Sequence, residues 1–93
     1  MPPFTLAKIR HLVREGSYIL TAHAVDELYD DGLDLLDLEE SILNGTIRLR
    51  QTDRETGETK VLIIGPSICG EDVVSVLKLS ITGKLVIITV FKD

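Results

Sequence analysis

The stretch Asn44-Gly45-Thr46-Ile47-Arg48-Leu49-Arg50-Gln51-Thr52 separates two kinds of periodicity. Before Asn44-Gly45, apolar residues recur every three or four positions. After it, Ile47 and Leu49 alternate with Arg48 and Arg50. The first spacing marks one face of a helix and the second a half-buried strand. Asn-Gly is itself a helix stop, so the helices come first and the sheet second.

Upstream of that boundary, Leu35, Leu38 and Ile42 form the stripe of a helix capped by Asp34. Asp37 at its third position imitates a capping box. Thr21 caps another helix, with Ala24, Val25 and Leu28 inward and an end before Gly32. Thr5 caps the first, over about residues 6–15, with Leu6, Ile9, Leu12 and Val13 on one face and Gly16 closing it. Ser17-Tyr18-Ile19-Leu20 is a short extended piece between the first two. Downstream, the pattern predicts strands over residues 46–52, 60–64, 73–80 and 84–91, joined by polar loops and by Thr82-Gly83. The second and fourth of these are almost wholly apolar, which predicts central strands covered on both faces or nearly so. The expectation is an α+β fold, three short helices on a four-stranded antiparallel sheet, as a single domain over residues 1–93.

An apolar fraction of 44% and a charged fraction of 27% are ordinary for a folded chain. The longest apolar run, residues 85–91, is far short of the ~18 that a membrane helix needs. The start, Met-Pro-Pro-Phe-Thr, lacks the basic and apolar regions of a signal peptide. Cys69 stands alone, which excludes an internal disulfide and a multi-cysteine zinc cluster. These features predict a cytoplasmic protein without membrane contact. The net charge of −5 is uneven: residues 21–45 hold eight acids and no Lys or Arg, whereas residues 46–93 are close to balanced. Such a segment repels a phosphate backbone and is either a solvated helix surface or a dock for a basic partner. Within it Asp26, Glu27, Asp30 and Asp31 cluster on the second helix.

His23 falls in the first turn of that helix, where the dipole disfavours imidazolium. A neutral imidazole can act as a general base, and Glu27, four residues on, can orient it. The alternative is a structural histidine bonded to a strand end. His23 and Glu27 supply two ligands, short of a metal site, so no metal and no cofactor is implied. Arg48 and Arg50, two apart on a strand, share a face, and Lys60 and Lys78 can join them in a stripe that binds phosphate. The same stripe can equally be the solvated side of a sheet. The aromatic residues are Phe4, Tyr18, Tyr29 and Phe91, too few for a base-stacking platform.

From Leu20 onward the chain resembles a family of small bacterial proteins classed as a domain of unknown function. The resemblance is carried by Thr21-Ala22-His23-Ala24, by Gly32-Leu33, and by Asp37 through Ile47. It continues in Leu62-Ile63-Ile64-Gly65, Asp72-Val73-Val74 and Val86-Ile87-Ile88-Thr89-Val90-Phe91. Members are often encoded beside a zinc-finger antitoxin of the YgiT type, and the family is remotely similar to toxins of the RelE, BrnT and MqsR kind. The resemblance implies a RelE-like fold and a toxin-related protein of a type II toxin–antitoxin module, a metal-independent endoribonuclease acting on mRNA. It makes His23 the catalytic candidate and Arg48, Arg50, Lys60 and Lys78 the RNA contacts, with a cognate antitoxin as partner. The competing expectation is a non-catalytic interaction module of the same fold, binding a basic partner through Asp26, Glu27, Asp30 and Asp31. Two departures from the family pattern favour it: Asp26-Glu27 where a basic residue is usual, and Phe91 where tyrosine is common. Either way the chain is expected as a monomer or homodimer.

Overall fold

In the computed structural model, which describes residues 5–93, Thr5, Thr21 and Asp34 each accept a hydrogen bond from the third backbone N–H of the helix that follows. They start α1 (Leu6–Arg14), α2 (Ala22–Asp30) and α3 (Leu35–Leu43). The Asp34–Asp37 capping box is complete in both directions. Phe4 lies outside the described residues. The remaining elements are β1 (Tyr18–Leu20), β2 (Thr46–Thr52), β3 (Thr59–Pro66), β4 (Asp72–Leu79) and β5 (Leu85–Lys92).

These strands form one sheet in the order β1-β5-β4-β3-β2. The four later strands are antiparallel neighbours, as expected. The expected four-stranded antiparallel sheet needs a correction, however, because β1 adds a fifth strand parallel to β5 and makes the sheet mixed. Three residues are too few for a period of two to register, so Tyr18-Ile19-Leu20 reads from sequence only as extended.

One core joins the helices to one face of the sheet. Ile9 and Val13 of α1, Ala24 and Leu28 of α2, and Leu38 and Ile42 of α3 pack with Val61, Ile63, Val73, Leu77, Leu85, Ile87 and Val90. Leu35, expected in the α3 stripe, is exposed, and Ser41 is buried in its turn, donating to the Leu38 carbonyl at 2.7 Å. The expectation that β3 and β5 are covered, or nearly so, on both faces is met on the core side only. On the face away from the core, Leu62, Ile64, Val86 and Thr89 remain half-exposed. Continuous apolar runs therefore describe an interior strand here, but not a second covering layer.

Gly45 and Gly65 bring the end of α3 onto β3. A Cβ on Gly65 would lie 1.9 Å from the Ser41 carbonyl oxygen and 2.7 Å from the Gly45 Cα. Both obstacles are backbone, so only glycine allows this approach. Arg10 of α1 reaches the same corner and donates from Nη2 to the Gly45 carbonyl at 2.9 Å. This arginine, its Nε buried without a partner, gave no signal in the sequence beyond its charge.

Candidate functional site

β1 ends at Leu20, opposite Ile87, and among the described residues leaves the second half of the β5 edge without a neighbouring strand. The chain turns there into α2. The Thr21 N–H donates to the Ile87 carbonyl at 3.0 Å, while the Thr21 hydroxyl accepts from Ala24 N–H at 3.1 Å. Farther along, Glu27 Oε1 accepts from the Val90 N–H at 3.3 Å and Asp31 Oδ2 from the Lys92 N–H at 2.8 Å. Two of the four acids expected to meet a partner thus complete the protein's own sheet edge. Asp26 and Asp30 are exposed and form no ion pair among the described residues.

His23 sits at the same place. Its Nε2 lies 3.1 Å from Glu27 Oε1, and its imidazole is 70% exposed. The expected pairing with Glu27 is present, and the strand-end bond anticipated for the histidine is made by the carboxylate instead. An accessible imidazole held by a carboxylate is competent for proton transfer to a bound molecule.

The basic residues lie elsewhere. Lys60 and Lys78 are directly opposed across β3 and β4, with Gln51 beside Lys60. Together with Glu58 and Asp53 they line an open depression of about 590 Å³. Lys78 Nζ is 3.0 Å from Glu58 Oε1, so this cation is already partly neutralised. Arg48 and Arg50 do not share a face by simple alternation. The pairing with β3 shifts between Ile47 and Leu49, leaving Arg48 as the extra residue of a bulge. Leu49 then stands opposite Leu62 on the open face and Arg50 opposite Val61 on the core side. Arg48 Nε donates to the Thr46 hydroxyl at 3.3 Å.

His23 does not converge with these cations. β2 is three strands from β5, roughly 14 Å at ~4.8 Å per step. Lys78 faces Val86, whereas Glu27, which holds His23, binds at Val90. Those four residues are roughly 13 Å of strand. Among the described residues no three His, Cys, Asp or Glu side chains gather as a metal site, and no helix is long and apolar enough to cross a membrane.

Two further contacts carry no pattern in the sequence. The Tyr18 hydroxyl donates to Glu39 Oε2 at 2.5 Å, tying β1 to α3, and burial followed by this bond raises the phenol above its ordinary range. Asp37 Oδ1 accepts from the Ile68 N–H at 3.1 Å and so ties the α3 cap to the β3–β4 loop.

A family model described as a domain of unknown function (DUF4258) matches residues 20–92. The chain belongs to this family. No curated protein and no solved structure gives a significant match. The DUF4258 region takes in α2, α3 and β2 to β5, and with them His23 and all four basic candidates. Arg10 and Tyr18, which fasten α1 and β1 to that body, precede it.

Proposed function

We propose that the protein is a toxin-related member of a toxin–antitoxin module that works as an interaction protein, binding a basic partner through the outward surface of α2. The RelE-like relationship rests on the motif resemblance. The observation that carries the binding reading is the separation of His23 from Arg48, Arg50, Lys60 and Lys78, which leaves none of the four expected RNA contacts beside the imidazole. What α2 does offer outward is Asp26 and Asp30, on a helix already anchored through Glu27 and Asp31. The partner that fits is a basic surface, and a zinc-finger antitoxin is the class the resemblance suggests. The test is affinity for a co-purified antitoxin as ionic strength rises. Exposed charge pairs are screened within ~10 Å at 0.1 M salt, so binding should weaken at least ~10-fold between low and high salt. Replacing Asp26 and Asp30 by lysine should weaken it further. Binding indifferent to both would rule the reading out.

A second reading is favoured by the exposed His23–Glu27 pair, a metal-independent ribonuclease in which His23 moves the proton. It expects RNA cleavage by the purified protein and a loss of ~100-fold in rate for His23→Ala. Equal cleavage by parent and variant would remove His23 from catalysis.

A further inference from the structure

The two edges of the sheet are finished differently. The β5 edge is closed by β1, by Thr21, and by the carboxylates of Glu27 and Asp31. The β2 edge has no such cover: among the described residues β2 pairs with β3 alone, and six of its seven residues are exposed. A bare strand edge offers a row of N–H and C=O groups to another chain.

We propose that the outer edge of β2 takes a further strand, and that this strand is an acidic segment of a partner protein. The charge on β2 selects the occupant. A second copy pairing along this edge would crowd four guanidinium groups, Arg48 and Arg50 of each copy, into one seam. Like charges crowded across a strand pair are destabilising, so the edge resists itself. An acidic strand meets the same arginines favourably. The faces add a second condition. Leu49, on the open side, continues the row Leu62, Val76 and Thr89, so the added strand is apolar on that side. Arg50 is on the other side, which calls for acids there. The fitting segment therefore alternates acidic and apolar residues over the length of β2. A phosphate chain would satisfy the guanidinium groups but leave the edge carbonyls without donors, so the geometry favours peptide over RNA. The site is independent of what α2 binds.

The test uses two seven-residue peptides, one alternating Glu with Val and one alternating Lys with Val, together with oligouridylate. Binding is followed by polarisation and by amide exchange along β2. The Glu peptide should bind and slow exchange within residues 46–52, and the Lys peptide should not. With Arg48→Glu and Arg50→Glu combined, affinity for the Glu peptide should fall at least ~10-fold while the Lys peptide becomes a ligand. Both arginines are exposed, so the variant keeps the core, and circular dichroism checks that it folds. Equal binding of the two peptides, no slowing of β2 exchange at millimolar Glu peptide, or tighter binding of oligouridylate would each overturn the proposal.

Discussion

At the scale of single residues, the glycines show that two positions of one type answer to different constraints. Gly70 has φ +89 and open space around its Cβ position, whereas Gly65 has no room at all. Gly70→Ala should cost about 1 kcal/mol through backbone strain. Gly65→Ala must force the α3 end from β3 and should cost about 3 kcal/mol, the upper end of overpacking. Urea denaturation of the two variants checks the order, and equal losses would mean that the Ser41–Gly45–Gly65 contact is soft. Asp37 gives a prediction in pH. Its carboxylate accepts from the Asp34 and Ile68 N–H groups, which holds it below the ordinary carboxylate range. The folded value is lower than the unfolded one near 4, so this stabilisation is complete above that pH and is lost as pH falls through the folded value. Asp37→Asn should therefore be less stable than the parent at neutral pH, with the gap closing in acid. A constant gap across thermal melts from pH 7 to pH 2.5 would contradict the assignment. The cap itself was legible in Asp34-x-x-Asp37, because it is local. The reach of Asp37 to Ile68 was not, since nothing in the sequence brings residues thirty-one apart together.

Elements were legible to the extent that they are long enough to repeat. α1 to α3 and the four later strands declare themselves through period and caps. β1 does not, and its place depends on β5, which the chain reaches more than sixty residues later. The bulge in β2 escaped for a related reason. A single extra residue leaves the alternation Ile47-Arg48-Leu49-Arg50 intact on paper while exchanging the sides of the sheet that Leu49 and Arg50 take relative to Ile47. The acids of α2 read as one charged surface, yet the helix's position beside β5 splits them into two that close the edge and two that face outward. This split can be measured. Asp31→Ala should raise exchange of the Lys92 amide, and Glu27→Ala that of Val90, while core amides such as Ile63 stay protected. Unchanged exchange at Lys92 and Val90 would mean that the α2 carboxylates do not hold the edge.

Across the whole molecule, charge runs from an acidic α2 at one side of the sheet to an arginine-bearing β2 at the other. The sequence announced the imbalance between its segments, but only the strand order sets them at opposite ends. Under the proposal for β2, Arg48 helps to keep two copies apart. Arg48→Glu leaves one acid and one arginine on each edge, so two paired copies would bring opposite charges into the seam in place of four like ones. Sedimentation should show the variant shifting toward dimer at high concentration while the parent stays monomeric, and identical profiles would argue that charge does not govern this edge. The closure of β5 by Glu27 and Asp31 also limits how the sheet can be extended. A filament grows only if every subunit offers two joining sides, one to receive and one to be received. Among the described residues this sheet has one open edge. A strand that pairs with β2 is therefore added once, and under the proposal the sheet ends a run of strands and does not pass it on.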